Sequence, residues 1–289
     1  MTAADGPADD GDRLRQYAAR ELRAGYDGAA LVDGLDLDIE PGTITALIGP
    51  NACGKSTLLR ALSRTLGLMG GQVVLDGTDI HRQSTRAVAR KLGLLPQSPT
   101  APEGITVIDL VRRGRLPHAR LGSLSGRGDV IAVADALSLT NTAELIRRPI
   151  DSLSGGQRQR VWIAMTLATQ TPTLLLDEPT TFLDIAHQME VLNLLVDLNR
   201  HRGKTIVLVL HDITQAALVA DQVLAMREGA IVARGTPEEV VTADVIGDVF
   251  GLAVNVFHDP DSGRPVVLPR SRRHRRVESC EEPRPRWLR

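Results

Sequence analysis

Gly49-Pro-Asn-Ala-Cys-Gly-Lys-Ser56 matches the pattern G-x-x-x-x-G-K-[ST], which is typical of a loop that binds phosphate groups. The apolar run Ile44–Ile48 precedes it and predicts a buried strand, and residues Ser56–Ser63 follow with helical spacing. In a strand, glycine-rich turn and helix of this kind, backbone N–H groups curl around anionic oxygens at the positive end of the helix. The sequence therefore predicts a phosphate-binding loop here.

The side chains of this loop complete the predicted site. Lys55 supplies a full positive charge, and the Ser56 hydroxyl is a suitable Mg²⁺ ligand. A glycine-rich turn with a chance lysine is the alternative, and the flanking strand and helix argue against it. The residues predicted to contact the phosphates are Gly49, Pro50, Asn51, Ala52, Cys53, Gly54, Lys55, Ser56 and Thr57.

Two acids end a second apolar run, Leu174-Leu-Leu-Asp-Glu178. A strand that ends here places Asp177 and Glu178 at the carboxyl edge of a sheet, where ligands of open α/β sheets bind. We expect Asp177 to serve Mg²⁺ through water, and Glu178 to orient and deprotonate an attacking water. A solvated loop is the common alternative for two neighbouring acids, and the phosphate loop upstream favours the catalytic interpretation.

The wider pattern indicates an α/β fold. Thr173–Leu176 and Thr205–Leu210 are continuous apolar runs, as parallel strands buried on both faces have, and helical patterns separate them. Between Gln97 and Gln157 the patterns are helical, which predicts an α-helical subdomain over about residues 98–160 inserted into the core.

Both ends of the chain differ in composition from its centre. Residues 1–21 are assigned to an acidic N-terminal tail, and residues 270–289 to an Arg- and Pro-rich C-terminal tail. The domain itself is therefore expected over residues 22–269.

Composition limits the possible functions. The 289 residues include 34 basic and 35 acidic ones, so no overall field would attract nucleic acid. The two cysteines, Cys53 and Cys280, have no metal-binding spacing, which indicates a reduced, cytosolic chain. No apolar run approaches the roughly 20 residues that a membrane span needs. If the protein serves a membrane process, other subunits must cross the bilayer.

Leu153-Ser-Gly-Gly-Gln157 is the third motif, and a helical pattern follows it. Ser154 can cap that helix while the amides of Gly155 and Gly156 lie open at its positive end, which makes a second anion site. With the phosphate loop and the acidic pair, this segment resembles the ABC ATPase family, whose signature is LSGGQ. The resemblance runs from about Leu22 to Pro269.

This resemblance implies a P-loop NTPase core of ABC ATPase type, with an N-terminal antiparallel β subdomain and an inserted α-helical subdomain. It also implies ATP and Mg²⁺ as cofactors and a homodimer of ATPase subunits. In the family, the phosphate loop of one copy and the signature segment of the other close over the same ATP. The signature residues so assigned to the nucleotide of the partner copy are Ser154, Gly155, Gly156 and Gln157.

Other residues match family elements one at a time. Tyr26 resembles the aromatic residue that stacks on adenine, with a structural tyrosine as the alternative. Gln97 resembles the glutamine that touches Mg²⁺ and senses the membrane subunit. Asp184 matches the segment that communicates between dimer halves, and His211 matches the histidine that contacts the γ-phosphate. The implied catalytic residues are Lys55, Gln97, Glu178 and His211, and the implied metal ligands are Ser56, Gln97 and Asp177.

Two residues depart from the family pattern. Ala52 stands where many members have glycine, so its backbone must have φ below zero or bear strain. Phe182 replaces a residue that is small in the wider family.

Glu178–Gln188, Gly104–Val107 and Arg113–His118 resemble the branch that imports iron–siderophore complexes, with haem and cobalamin importers as relatives. This resemblance implies multi-span membrane permease subunits that dock on the helical region through a groove near Gln97. An external substrate-binding protein is implied as an indirect partner. The implied location is peripheral, at the cytoplasmic face of the cell membrane.

Three other classes of ATP-binding protein fit the sequence less well. An ABC-type chromosome or repair protein has a long coiled coil between phosphate loop and signature, and the interval from Ser56 to Leu153 leaves no room for one. A ribosome-associated translation factor ordinarily carries two such cassettes. A regulator without hydrolysis would not need Glu178 and His211. No nucleic-acid partner is expected.

Overall fold

The computed structural model describes residues 17–119, 126–181 and 183–270. Its strands are β1 (Tyr17–Tyr26), β2 (Ala29–Ile39), β3 (Ile44–Ile48), β4 (Gly70–Leu75), β5 (Thr78–Asp79), β6 (Leu92–Leu95), β7 (Thr173–Asp177), β8 (Thr205–Val209), β9 (Gln222–Arg227), β10 (Ala230–Gly235), β11 (Val254–His258) and β12 (Pro265–Pro269). Its α-helices are α1 (Lys55–Leu62), α2 (Thr85–Ala89), α3 (Val107–Arg113), α4 (Arg127–Leu139), α5 (Gly155–Ala168), α6 (Ile185–Arg202), α7 (Ile213–Val219), α8 (Pro237–Val240) and α9 (Ala243–Phe250). Short 3₁₀ turns lie at Ile80–Arg82, Leu116–His118, Ala143–Leu145 and Ile150–Ser152.

A six-stranded sheet forms the centre of the molecule, in the order β10-β9-β3-β8-β7-β6. Its strands are parallel except at one edge, where β10 pairs antiparallel with β9. β3, β7 and β8 are buried along their whole length, as the continuous apolar runs predicted. Their carboxyl ends meet at one sheet edge. The predicted α/β fold, with parallel strands buried on both faces, is confirmed.

The N-terminal part of the chain forms an antiparallel sheet in the order β2-β1-β4-β5. Its first strand begins at Tyr17, so residues 17–21 belong to the domain, and the tail boundary predicted at residue 21 is wrong. The reason is burial, because the Tyr17 side chain is 3% exposed and its hydroxyl donates to the Leu62 carbonyl at 2.9 Å. Over residues 17–21 the alternation of apolar and polar residues is too short to predict a strand from the sequence.

Helices α3 and α4 and the first half of α5 form the helical insertion between β6 and β7, where a subdomain over about residues 98–160 was predicted. The buried Arg115 side chain joins these helices. Its Nε donates to Asp129 Oδ1 at 2.8 Å, and its guanidinium also donates to the Ala168 carbonyl at 2.8 Å. Helix α5 packs against both insertion helices and against β6 of the central sheet, so it connects the two parts.

Alternate residues of the central strands face two separate cores. Leu47 and Leu175 face a core shared with α1 and the antiparallel sheet, whereas Ile48 and Leu174 face a core shared with the helical insertion and α6. Helix α1 is thereby held between two sheets. This packing fixes the loop that precedes it.

The described chain ends in the hairpin β11-β12, and the register pairs Val254 with Pro269. The predicted C-terminal tail from residue 271 onward, residues 1–16 and Phe182 lie outside the described residues. Within the described ranges, no helix combines the length and apolar character that a membrane crossing requires.

Candidate functional site

The loop between β3 and α1 wraps around the Lys55 ammonium group. Lys55 Nζ donates to the carbonyl oxygens of Gly49 and Pro50, each at 2.8 Å. Gly49 has φ 153°, and a Cβ there would lie 2.3 Å from the Met226 carbonyl oxygen on the neighbouring strand. Gly54 has φ 104° and immediately precedes α1, so the helix begins directly at the loop. The structure thus contains the strand, turn and helix that the motif predicted.

Ala52, at the exposed tip of this loop, has φ 61°. A left-handed backbone at a residue with a Cβ costs about 1–2 kcal/mol. The sequence left two alternatives, φ below zero or strain, and the structure has the strained one. Strain in a phosphate-binding loop is tolerated because the packing of β3 and α1 holds both of its ends.

Ser56 and Asp177 meet at the carboxyl edge of the sheet, where the Ser56 hydroxyl donates to Asp177 Oδ1 at 2.9 Å. Burial raises the pKa of the Asp177 carboxyl, and the hydrogen bond from Ser56 opposes that rise. A hydroxyl and a carboxylate side by side are the hard oxygen donors that Mg²⁺ prefers. The two residues therefore fit the ion that the motifs predicted.

The Glu178 carboxylate joins three side chains from different loops. Its Oε2 accepts from Gln97 Nε2 at 2.7 Å and from the Thr181 hydroxyl at 3.0 Å, and its Oε1 lies 2.5 Å from His211 Nε2. The Glu178 backbone has φ 52°, in the left-handed region. Strained backbone of this kind is common where a catalytic side chain must be held in one orientation.

These elements border one groove of about 420 Å³. Its lining combines loop residues, the start of α1 and the side chains just described: Leu31, Asn51, Ala52, Gly54, Lys55, Ser56, Thr57, Gln97, Glu178 and His211. Four further predicted residues contact this lining from behind. Lys55 contacts Gly49, Pro50 and Cys53, and Ser56 contacts Asp177. The structure therefore brings the predicted phosphate, metal and catalytic residues together.

Tyr26 lies apart from the groove lining. It is 40% exposed at the end of β1, and its hydroxyl accepts from the Arg60 guanidinium of α1 at 3.0 Å. The side chain is available to a planar ligand at this edge of the domain. Both alternatives for Tyr26, adenine stacking and a structural role, therefore stay open.

The signature segment forms a separate surface at the start of α5. Ser154 and Gln157 make a capping box, in which the Ser154 hydroxyl accepts from the Gln157 amide at 3.3 Å and Gln157 Oε1 accepts from the Ser154 amide at 3.2 Å. Gly155 and Gly156 occupy the first two helical positions. None of these four residues lines the groove.

Asp184 also lies outside the groove, at the N-cap of α6. Its Oδ1 accepts from the His187 amide at 2.9 Å and contacts His187 Nδ1 at 2.7 Å. The His187 ring packs on the signature helix, because a Cβ at Gly156 would lie 2.9 Å from its Cδ2. The Asp184 segment and the signature of the same chain are thus neighbours.

Two residues that contact the site were not among those predicted from the sequence. Thr181 donates to the Glu178 carboxylate, and Leu31 of β2 forms a wall of the groove. Thr181 sits three residues after Glu178, a spacing at which a turn returns a hydroxyl to a carboxylate, so a local signal existed. Leu31 comes from another sheet, and no local pattern could have identified it.

Comparison with known proteins identifies the family. The family model described as ABC transporter matches residues 32–181. The achromobactin transport ATP-binding protein CbrD of Dickeya dadantii is 50% identical over 256 residues, which are 89% of this chain and 95% of that protein. The ferric enterobactin transport ATP-binding protein FepC of Escherichia coli is 48% identical over 261 residues, 90% of this chain and 96% of that protein. The hemin import ATP-binding protein HmuV of Streptomyces coelicolor is 40% identical over 263 residues, 91% of this chain and 92% of that protein.

Solved structures agree with the sequence matches. An inward-facing metal-chelate type ABC transporter superposes with TM-score 0.76 at 28% identity, over 89% of this chain and 98% of that one. A dimeric bacterial ABC transporter cassette gives TM-score 0.69 at 25% identity, over 76% of this chain and 98% of that one. With motif, groove and relatives in agreement, the chain belongs to the ABC transporter family, as one of its ATP-binding subunits.

Proposed function

We propose that this chain hydrolyses ATP to energise a binding-protein-dependent importer of iron–siderophore complexes. The observation that carries the proposal is the groove in which the phosphate loop, Lys55, the Ser56–Asp177 pair and Glu178 meet. We infer the cargo from the names of relatives, since CbrD is an achromobactin transport protein and FepC is a ferric enterobactin transport protein. In this proposal the groove binds the triphosphate of ATP.

Binding starts with charge. Lys55 is 5% exposed, and its ammonium group donates to two carbonyl oxygens of its own loop. Phosphate oxygens carry a full negative charge and are stronger acceptors for an ammonium group than neutral carbonyls are. The start of α1 adds further donors and a partial positive charge. The loop therefore orients the γ-phosphate toward Glu178.

Ser56 and Asp177 would hold Mg²⁺, with the Gln97 amide oxygen on the same groove as a further donor. The ion, when bound, neutralises charge on the phosphate oxygens. The Ser56–Asp177 hydrogen bond already places both oxygen donors 2.9 Å apart. Little rearrangement of these side chains is needed to share a cation.

Glu178 is the proposed general base, which takes a proton from the attacking water. Gln97 and Thr181 donate to one of its oxygens, and these hydrogen bonds fix the plane of the carboxylate. His211 contacts the other oxygen and lines the same groove as Lys55, so it would lie beside the γ-phosphate of bound ATP. The protein thus supplies orientation and charge compensation, which dominate phosphoryl transfer.

A second copy of the chain completes the site. Ser154, Gly155 and Gly156 are exposed or half-exposed and lie away from the groove of their own chain. In a two-fold dimer, each signature would cover the groove of the other copy, with Asp184 next to that contact. The dimeric cassette among the similar structures supports this arrangement. Tyr26 is the proposed stacking partner of adenine.

Membrane partners follow from the same proposal. Multi-span permease subunits would dock on the helical insertion near Gln97, and an external binding protein would deliver the cargo to them. The chain would then lie at the cytoplasmic face of the membrane. The metal-chelate type transporter among the similar structures supports such a permease.

The catalytic assignment is tested with Glu178→Gln. We expect turnover of ATP to fall by about 100-fold or more, because the base is lost, while ATP binding persists and a loaded dimer accumulates. Glu103→Gln, at an exposed loop position, is the matched control and should behave as the wild type. Steady-state ATP hydrolysis and the size of the ATP-loaded species are measured. Full turnover by the Glu178 variant would remove this residue from the catalytic role.

The cargo is tested separately, by deleting the gene and supplying iron only as defined ferric siderophores. Uptake of at least one ferric siderophore should stop, and Glu178→Gln expressed from a plasmid should fail to restore it. Haem import is the second candidate, because HmuV is 40% identical. Normal uptake of every ferric chelate with loss of haem uptake would replace the siderophore assignment and leave the ATPase assignment standing.

A further inference from the structure

A second, smaller cavity of about 160 Å³ adjoins the nucleotide groove. It shares Glu178 and His211 with the groove, and its other walls come from the segment after Glu178 and from the first turns of α6 and α7. Gln188 lines it from α6 and Gln215 lines it from α7. The cavity therefore lies on the side of the catalytic pair that the groove does not occupy.

Two glutamines connect the walls of this cavity. Gln188 Nε2, in α6, donates to the Leu183 carbonyl at 3.0 Å and to the Thr180 carbonyl at 3.4 Å. Gln215 Nε2, in α7, donates to Gln188 Oε1 at 2.6 Å. Both donors and the acceptor of the Gln188 amide are thereby used. A continuous chain of hydrogen bonds runs from the segment after Glu178 to the helix after His211.

This chain spans the two loops whose relative position matters most for hydrolysis. Glu178 and His211 follow the neighbouring strands β7 and β8, and their side chains are in contact at 2.5 Å. The Glu178 backbone is strained, and a strained conformation persists only where its surroundings hold it. The amide of Gln188 donates to the backbone carbonyls of Thr180 and Leu183, in the segment that follows the strained Glu178.

We infer that Gln188 and Gln215 are positioning residues for ATP hydrolysis, which hold the Glu178 loop and the His211 loop at a fixed separation. Neither side chain lines the nucleotide groove, so neither touches the nucleotide. They act through Glu178 and His211, and the inference therefore rests on the proposed function. A lost hydrogen bond would let the carboxylate and imidazole drift apart, and small displacements of catalytic groups lower turnover strongly.

The test uses the full-length chain with Gln188→Ala, Gln215→Ala and the double variant. Each single change should lower kcat by about tenfold, while KM and the Kd for Mg-ATP stay within about twofold. The double variant should match the single ones, because both changes break the same connection. Gln72→Ala, at an exposed position of β4, is the matched control and should leave all values unchanged.

A structural role is separated from a positioning role by repeating Gln188→Ala in the Glu178→Gln background. If Gln188 acts through Glu178, the residual turnover of that background should not fall further. A further tenfold fall there would overturn the inference, as would wild-type kcat in both single variants. Loss of kcat and ATP affinity together, with a lower unfolding temperature, would also overturn it, because that pattern marks a general loss of structure.

The experiments distinguish failure of the positioning role from failure of the proposed function. Wild-type turnover by Glu178→Gln would refute the catalytic assignment, whatever the glutamine variants do. Wild-type turnover by the glutamine variants, with a defective Glu178→Gln, would refute only the positioning role. Gln188→Glu provides a variant that keeps size and the acceptor for Gln215 but loses both donors to the backbone, and its kcat should fall as in Gln188→Ala.

Discussion

The two segments that we propose to bind phosphate are built in opposite ways. The loop around Lys55 is buried between two sheets except at its exposed tip, Asn51 and Ala52, and we call it the buried segment. It has left-handed backbone at Ala52 and Gly54, and the side chains proposed for catalysis line one side of it. The signature segment lies on the surface, and the Ser154 hydroxyl is occupied by its own capping box. The first segment has all of its proposed phosphate contacts within one chain. The second would be half of a site, because in our proposal it acts only when a second copy of the chain covers it.

The two segments should differ in how strongly the isolated chain depends on them for ATP binding. Lys55→Ala should weaken ATP binding by the isolated chain by about 30-fold or more, because truncating one member of a buried charge pair costs roughly 2 kcal/mol or more. Isothermal titration with Mg-ATP measures the change. Lys91→Ala, which breaks a pair with Asp76 at 2.8 Å outside the groove, is the control. Equal weakening in both variants would mean that the loop is not the primary nucleotide site.

Asp177→Asn tests the carboxylate that accepts a hydrogen bond from Ser56, at the end of the buried segment. Burial raises the pKa of Asp177 above its ordinary value of 3.8, so the folded chain holds this proton more tightly than the unfolded chain. Stability contributed by this group is therefore present at low pH, falls as pH rises from 3.8 toward the folded-state pKa, and is lost at neutral pH. The variant should unfold at a higher temperature than wild type at about pH 7, with a smaller difference at about pH 4.

The same variant should lose turnover by about 100-fold, since it removes a proposed Mg²⁺ ligand. Thermal unfolding at both pH values and steady-state hydrolysis are the two measurements. Asp76→Asn serves as the control, because its carboxylate is paired with Lys91 and its removal should not stabilise the chain. A destabilised Asp177→Asn at neutral pH would show that this carboxylate contributes favourably to folding.

The exposed segment is tested by Gly156→Ala. The new Cβ would lie 2.9 Å from His187 Cδ2, and the His187 ring is held by Asp184 at 2.7 Å. We expect turnover to fall by about tenfold through a shifted signature helix, while ATP affinity of the isolated chain changes by less than about twofold. Gly128→Ala is the matched control, since it also lies second in a helix and its Cβ meets nothing within 4 Å. An ATP affinity lowered in Gly156→Ala alone would contradict the division between the two segments.

Local patterns in the sequence predict the buried segment well. The apolar runs at Ile44–Ile48 and Thr173–Leu176 become strands with the predicted bounds or nearly so, because strands covered on both faces have no polar positions to obscure them. The motif then places Lys55 and Ser56 at the sheet edge. The family resemblance adds Gln97 and His211, whose contacts with Glu178 no spacing rule would give.

Features made by distant segments could not be predicted in this way. Strand β1 pairs with β2 and β4, and bulges interrupt its register, so its alternation is weak and residues 17–21 read as a tail. The Gln188–Gln215 hydrogen bond joins two helices, and each glutamine alone resembles a solvated polar residue. The contact of His187 with Gly156 likewise depends on how α5 and α6 pack.

Ala52→Gly carries the smallest expected effect and tests whether strain is a property of the buried segment. A φ of 61° costs alanine about 1–2 kcal/mol, and glycine would be free of this strain. The greater conformational freedom of glycine in the unfolded chain offsets about 0.5–1 kcal/mol of that gain in stability. The free energy of unfolding should therefore rise by about 0.5–1 kcal/mol, as measured by urea denaturation. Ala230→Gly, at an exposed position of β10, should instead lower it. A destabilised Ala52→Gly would mean that contacts of the Ala52 Cβ stabilise the loop by more than the backbone strain costs. Those contacts, and not the two sheets that hold the ends of the loop, would then determine its conformation.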